Sequence, residues 1–263
     1  MPLPQTIDDV IRRLDQIVIS AITEPSRLGY FAALYNRVTM AVRDGIRAGA
    51  FDDNARMARL DVVFANRYID AYERHHAGAA TTLSWQAAFA AAARHDMSVL
   101  QHLLLGMNAH INLDLGIACA EVAPGNAIHA LERDFLRINA VLASLMPTVE
   151  AQLGEISPTL DLLTGVAQDL DQLDVRIGTF SMGAARRSAW RFALVLSGLG
   201  NPIAKRVAIR ARDTEAFAFA AGLQQPGALS LVSGGPDLVD VASHLAVLAR
   251  GISGLPGSQG AGA

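Results

Sequence analysis

The feature that most constrains this chain is a run over residues 103–120 that is apolar on every side of a helix. The run reads LLLGMNAHINLDLGIACA, and its strongly polar side chains are Asn108, His110, Asn112 and Asp114. A helix that is hydrophobic all round is surrounded by other helices or by lipid. No stretch of about 18 residues lacks charged or strongly polar side chains, so we expect a buried core helix and no membrane span.

The rest of the chain repeats apolar side chains every three or four residues, as amphipathic helices do. Hydrophobic residues make up 51% of the chain and aromatic residues only 6%, which favours helix packing over sheet. We predict an all-α fold, a single domain of about ten helices around the buried central helix. The predicted helices cover approximately 6–25, 26–47, 53–76, 82–122 with a bend or break near Gly106, 126–149, 157–173, 180–198, 203–222 and 237–250.

Length and composition limit the organisation and the partners of the chain. Its 263 residues are at the upper end of what one hydrophobic core supports, so we predict one domain over 1–250, with two closely packed helical lobes as the alternative. Glycine and proline predict a loop over 224–236 and a flexible tail over 251–263. A net charge of −3 without a basic stripe argues against nucleic acid as a partner.

The N-terminus and the cysteine content bear on location. The first residues contain neither a basic region nor an apolar segment of the kind that export signals have. Cys119 is the single cysteine, so no disulfide forms within the chain. Both features predict a cytoplasmic protein, whose oligomeric state the sequence leaves open.

One segment, 181–215, is locally basic. Its cations face only two acids, Asp213 and Glu215, and they are Arg186, Arg187, Arg191, Lys205, Arg206, Arg210 and Arg212. A solvated basic face on two helices and a site for an anionic ligand are the two interpretations. We expect these arginines to face solvent, with Trp190 turned inward.

His110 and Asp114 are the main candidates for chemistry. Four residues apart, they lie on one helix face about 6 Å apart along the axis. Leaving such groups buried without partners costs several kcal/mol. Three roles fit: a structural pair, a site for one divalent metal ion, or metal-free acid–base or binding chemistry in which Asp114 fixes the His110 tautomer. His102 lies about 12 Å upstream on a straight helix, too far to share an ion with His110.

Further polar residues complete the predicted site. Asp61 lies in the apolar stripe of Leu60 and Phe64, so we expect it to be buried against a cation or a donor, and an ion pair with Arg67 beside Tyr68 is one alternative. Asp61 joins His110 and Asp114 as a candidate catalytic residue. The candidate substrate-binding residues are Asn108, Asn112, His102, Tyr68 and Arg67. Asp134 and Asn139 could join them, and we expect a cavity lined by Phe64, Tyr68, Trp85 and Trp190.

Two resemblances add to this interpretation. The segment 104–115, with Leu60-Asp61 and Phe64-Ala65 upstream and Asp134-Phe135 and Asn139 downstream, resembles an uncharacterised bacterial family, domain of unknown function 5995. That resemblance covers most of residues 5–222 and implies a helical domain without supplying an activity. The HxxxD spacing of His110 and Asp114 is similar to the metal-ligand helix of zinc-dependent phospholipase C and P1-type nucleases. This chain lacks their further histidine motifs and their N-terminal Trp ligand.

The residues together predict a small-molecule enzyme that acts on an apolar substrate, with a metal-assisted hydrolase as one form of it. The alternative is a non-catalytic protein that binds a small hydrophobic molecule and uses the same polar cluster only for hydrogen bonds.

Overall fold

The computed structural model describes residues 2–156, 182–225 and 240–252, and these three ranges contain helices and no strand. The helices are α1 (Ile7–Thr23), α2 (Gly29–Arg47), α3 (Asn54–His76), α4 (Leu83–Ala91), α5 (Val99–Met107), a π-helical segment (Asn108–Asp114), α6 (Leu115–Val122), a short 3-10 turn (Gly125–Ala127), α7 (Ile128–Ile156), α8 (Met182–Gly198), α9 (Pro202–Leu223) and α10 (Val241–Leu248). One main hydrophobic core draws side chains from α1 through α10. The prediction of an all-α single domain is confirmed. The predicted helix over 157–173, most of the 224–236 loop and the tail beyond residue 252 lie outside the described residues.

The helix Val99–Val122, made of α5, the π-helical segment and α6, is the buried centre of the fold. Within the described ranges it is the one helix that is long and apolar enough to cross a membrane, with a mean hydropathy of 1.3 in its most apolar window. Of that window, 89% is buried against the rest of the protein. The helices around it thus provide the apolar surroundings that the sequence pattern requires.

The central helix starts later than the sequence suggests. We predicted one helical run from about residue 82 to 122, but α4 ends at Ala91 and a new helix begins after Ser98. Ser98 and Gln101 form a capping box, in which the Ser98 side chain accepts from the Gln101 amide and the Gln101 side chain accepts from the Ser98 amide. The interruption is therefore at 92–98 and not at Gly106.

Gly106 serves close approach between helices and does not break the chain. A Cβ atom at this position would lie 2.5 Å from Cγ of Phe31 on α2. Without it, the Phe31 ring packs directly against the backbone of α5. This contact brings α2 against the central helix just before the π-helical segment.

The π-helical segment begins at Asn108 and ends at Asp114, the first and last residues of the polar cluster. The Leu115 amide donates to the carbonyl of His110, five residues earlier, instead of four as in an α-helix. Such segments are rare and occur frequently at functional sites. No sequence pattern indicated this geometry.

A buried arginine joins α7 to α8, contrary to the expectation that the arginines of 181–215 face solvent. Arg186 is only 6% exposed. Its Nε donates to Oδ1 of Asn139 and its Nη2 to the carbonyl of Phe135, each at 2.7 Å. The guanidinium also lies 4.4 Å from the centre of the Phe135 ring. The Phe135 carbonyl, the Asn139 amide oxygen and the Phe135 ring stabilise the buried charge of Arg186.

Other arginines of the basic segment 181–215 are partly covered or exposed. Arg212 is also largely covered, because it donates to the Asn112 carbonyl and to the Ser188 hydroxyl, each at 2.7 Å. Arg187 and Arg206 are exposed, as expected. Trp190 is partly buried and packs 4.8 Å from Phe135, so its inward orientation is confirmed.

Asp134 fixes the start of α3 against α7. Its two carboxylate oxygens accept from the backbone amides of Asp52 at 2.7 Å and Asp53 at 3.1 Å, and from Arg56 at 3.0 Å. Asp53 caps α3 by accepting from the Arg56 amide at 2.8 Å. These contacts set the position of α3, which carries Asp61, Phe64, Arg67 and Tyr68.

We predict that Gly106→Ala destabilises the protein by about 1–3 kcal/mol, because the added methyl group overlaps the Phe31 ring and forces α2 away from α5. Urea unfolding followed by circular dichroism measures this change. Gly222→Ala is the matched control, since a Cβ there meets nothing within 4 Å. Equal stability of the two variants would show that the close approach at Gly106 is not required.

Candidate functional site

Asp114 is a buried carboxylate whose two oxygens are both engaged by donors from other helices. Oδ1 accepts from Nε of Arg67 on α3, and Oδ2 accepts from the indole nitrogen of Trp85 on α4, each at 2.8 Å. The residue is 1% exposed. Burial on its own raises the pKa of Asp114, but the Arg67 charge and the hydrogen bonds from His110 and Trp85 outweigh it, so the pKa lies below the usual value. Asp114 is therefore ionised at neutral pH.

His110 pairs with this carboxylate through one of its two ring nitrogens. Nδ1 lies 3.4 Å from Oδ2 of Asp114, a long hydrogen bond. Burial lowers the pKa of His110 below its usual value, although the Asp114 charge acts in the opposite direction. The imidazole is thus neutral, and because an ionised Asp114 only accepts, the proton lies on Nδ1. Nε2 is left as a bare hydrogen-bond acceptor.

Aromatic rings enclose His110. The Phe64 ring is stacked on the imidazole, with centroids 3.6 Å apart and planes 9° from parallel. Tyr35 meets it edge-on at 4.5 Å and Phe31 at 5.5 Å. Trp85 and Tyr68 lie at 6.0 and 6.3 Å. The surroundings of His110 are therefore apolar except for the Asp114 side.

Four buried polar atoms near this ring system have no hydrogen-bond partner among the described residues: Nε2 of His110, the hydroxyls of Tyr35 and Tyr68, and Oδ2 of Asp61. The neighbouring Thr39 hydroxyl is already used, because it donates to the Tyr35 carbonyl at 3.0 Å. Burial, and then the charge of Asp61 and that of Asp114, hold the pKa of Tyr35 well above its usual value. Both carboxylates thus act on the same hydroxyl. Each unpaired atom costs about 1–3 kcal/mol, which a bound polar group would recover.

Asp61 is buried as predicted, being 8% exposed, but no described residue supplies the expected cation or donor. Within the described ranges no hydrogen bond or ion pair involves Asp61, since Arg67 pairs with Asp114 instead. The prediction of an Asp61–Arg67 ion pair is therefore wrong. Burial raises the pKa of Asp61 to about 8, so this carboxyl is mainly protonated and uncharged at neutral pH.

Asn108 and Asn112 hold the far side of the π-helical segment. Nδ2 of Asn108 donates to the Ala216 carbonyl on α9 at 2.8 Å. Nδ2 of Asn112 donates to Oδ1 of Asn108 at 2.9 Å. Their polar atoms face α9, so they position the segment instead of facing the aromatic ring system.

Other candidates lie elsewhere. His102 contacts Tyr30, with ring centroids 5.8 Å apart. Burial, together with the charges of Arg27 and Arg94, lowers the pKa of His102 to about 4. The structure therefore does not bring His102 to His110. Asp134 and Asn139 belong to the α3 and α8 anchors described above, and Trp190 is packed on Phe135, away from the rings around His110.

The donor set does not fit the metal ion that the sequence suggested as one alternative. Among residues 2–156, 182–225 and 240–252 no three His, Cys, Asp or Glu side chains converge as metal ligands would. Both Asp114 oxygens already accept from Arg67 and Trp85. The His110–Asp114 pair therefore offers a metal a single free nitrogen, fewer than the three or four ligands that protein sites supply.

Sequence reasoning identified His110, Asp114, Asp61, Arg67 and Tyr68 but missed Tyr35. Tyr35 lies on α2, and its hydroxyl group was the one signal in the sequence that could have pointed to it. The role of Trp85 as a donor to Asp114 was also missed, because α4 and the π-helical segment meet only in the tertiary structure.

We predict that Asp61 makes the folding stability fall as pH rises from about 4 to about 8. Its pKa is about 8 in the folded protein and 3.8 in an unfolded chain. The folded state thus keeps a proton that the unfolded state loses, so its contribution is complete below the lower pKa and is lost through the upper one. The slope approaches about 1.4 kcal/mol per pH unit. Asp61→Asn should remove it in urea unfolding at a series of pH values.

The control for this experiment is Asp70→Asn, at an exposed carboxyl on the same helix. It should retain the pH dependence of the wild-type protein. A wild-type protein and an Asp61→Asn variant with parallel pH profiles would show that Asp61 is ionised in the fold.

Comparison with known proteins identifies the family. A family model described as "Family of unknown function (DUF5995)" matches residues 7–226. No curated protein and no solved structure matches the chain. The matched range covers most of the chain and includes α1 to α9 with all residues of the His110 site, so the chain belongs to the family of unknown function DUF5995.

Proposed function

We propose that this protein is an enzyme that binds a small, mostly apolar substrate beside His110 and transfers a proton at Nε2. The observation that carries the proposal is the difference between the two nitrogens of His110. Nδ1 is held by Asp114, while Nε2 is buried and without a partner in the described part of the chain. This is the arrangement of a general base whose tautomer a carboxylate has fixed.

The chemistry follows from the charges. Neutral His110 accepts a proton at Nε2 from a substrate hydroxyl or from a water molecule that attacks a carbonyl. The imidazolium that forms is stabilised by ionised Asp114, which Arg67 and Trp85 hold in place. Protonated Asp61 supplies an O–H donor, because its pKa is about 8. Acid and base are thus present together at neutral pH.

The substrate class follows from the rings around His110. Phe31, Phe64 and the ring of Tyr35 offer apolar contact. The polar atoms left without a partner among the described residues belong to Tyr35, Tyr68, Asp61 and His110. A molecule with an apolar body and one carbonyl or hydroxyl group complements this set. Since His110 is 2% exposed, such a molecule reaches Nε2 only when a neighbouring side chain such as Phe64 moves.

We predict that the protein hydrolyses p-nitrophenyl esters of short fatty acids and that His110→Asn lowers kcat/KM by at least about a hundredfold. Asp114→Asn should also lower it, because the variant no longer fixes the Nδ1–H tautomer. Release of p-nitrophenol measures both, and circular dichroism shows whether the variants keep their helices.

The matched control is His129→Asn, at an exposed histidine near the start of α7. It should retain wild-type activity and melting temperature. A folded His110→Asn variant with wild-type turnover would contradict the assignment of His110 as the base.

The second candidate function is non-catalytic binding of a small hydrophobic molecule, and the stacked Phe64 ring favours it. A ring 3.6 Å from the imidazole blocks one face of His110, so the cluster would serve only to hydrogen-bond a ligand. Fluorescence of N-phenyl-1-naphthylamine distinguishes the two functions. Saturable binding that His110→Asn weakens, without turnover of any ester, would favour this candidate over the enzyme.

A further inference from the structure

A cleft of about 590 Å³ is bordered by Arg67 and Trp85, the two side chains that donate to Asp114 from other helices. Its walls include Val63, Arg67, Asp70 and Arg74 of α3, together with Trp85 and Glu121. The volume is that of an ordinary small-molecule site. Neither His110 nor Asp61 lines it, so it is separate from the site of the proposed reaction.

Arg67 connects the cleft to the buried network. Its Nε donates to Asp114, but its two terminal nitrogens make no hydrogen bond with any described residue. The side chain is 26% exposed. A guanidinium held at Nε by a buried carboxylate is fixed in orientation, so its free donors point in a defined direction. Such a fork binds a planar anion with two parallel hydrogen bonds.

Arg74 offers a second, similar group. It lies two helical turns after Arg67 on α3, and its Nε donates to the Ala80 carbonyl at 2.8 Å. Within the described ranges its terminal nitrogens have no partner. The two arginines are about 10 Å apart along the helix axis. A small anionic group can therefore contact Arg67, while the positive charge of Arg74 attracts it from a distance.

The acids of the cleft decide which anion fits. Asp70 and Glu121 are exposed on its walls, and neither forms an ion pair with a described residue. Their charges repel a phosphate dianion more than they repel a monoanion. The apolar lining from Leu3 and Val63 suits a hydrocarbon body.

We propose that this cleft binds a small organic carboxylate, whose anionic group pairs with the terminal nitrogens of Arg67 and whose apolar part lies along Leu3 and Val63. Binding there needs no reaction at His110, although Arg67 also holds Asp114. The proposal is based on Arg67, whose Nε is held by the buried Asp114 carboxylate while its two terminal nitrogens have no partner among the described residues.

Trp85 provides a local signal for the test. Its indole N–H donates to Asp114, and the same side chain lines the cleft. The chain contains two tryptophans, and Trp190 packs on Phe135 away from the cleft. The two indole N–H resonances in a ¹H–¹⁵N spectrum therefore separate binding in the cleft from a general effect of the added salt.

The experiment is a titration of the full chain with sodium hexanoate, with hexanamide and sodium phosphate as neutral and dianionic comparisons. Hexanoate should shift the Trp85 indole resonance saturably and leave that of Trp190 in place. Arg67→Lys keeps the charge but loses the fork, and should bind hexanoate about tenfold more weakly. Arg74→Gln should weaken binding by a smaller factor.

Arg43→Gln is the matched control, because Arg43 has a similar exposure of 22% and pairs with Asp44 away from the cleft. It should bind hexanoate as the wild type does. The proposal is overturned by the absence of a saturable Trp85 shift, by equal binding of hexanamide or phosphate, or by a folded Arg67→Lys variant with wild-type affinity.

Discussion

The site depends on one buried negative charge. An ionised carboxylate in an apolar core costs several kcal/mol unless charge and hydrogen bonds compensate it. At Asp114 the compensation comes from three helices: Arg67 on α3, Trp85 on α4 and His110 within the π-helical segment. Because each donor belongs to a different element, the correct placement of α3 and α4 around the central helix and the ionisation of Asp114 require each other.

The π-helical segment distributes its polar side chains between two environments. His110 and Asp114 face α3 and α4, whereas Asn108 and Asn112 face α9, where Asn108 binds the Ala216 carbonyl. The asparagines and the close approach of Phe31 at Gly106 hold the segment from both sides. The site is thus rigid where the charge lies, and the unpaired atoms of His110, Tyr35 and Asp61 are on the aromatic side.

Sequence periodicity was sufficient for the helical class, for the burial of residues 103–120 and for the pairing of His110 with Asp114, since all three follow from spacing along one helix. Periodicity along one helix could not predict the contacts between helices. The pattern on α3 places Asp61 and Arg67 equally near the core, and only the position of the central helix decides that Arg67 reaches Asp114. Arg186 was assigned to the surface for the same reason: its partners Phe135 and Asn139 are on a helix whose position the sequence does not specify.

The proposed role of His110 requires a neutral imidazole with its proton on Nδ1 and an acceptor at Nε2. Long-range ¹H–¹⁵N NMR of the imidazole rings across neutral pH measures this directly, with His110 assigned by comparison with His110→Asn. We expect a protonated Nδ1, an unprotonated Nε2 and titration of His110 only below its usual pKa. A proton on Nε2, or an imidazolium at neutral pH, would contradict it.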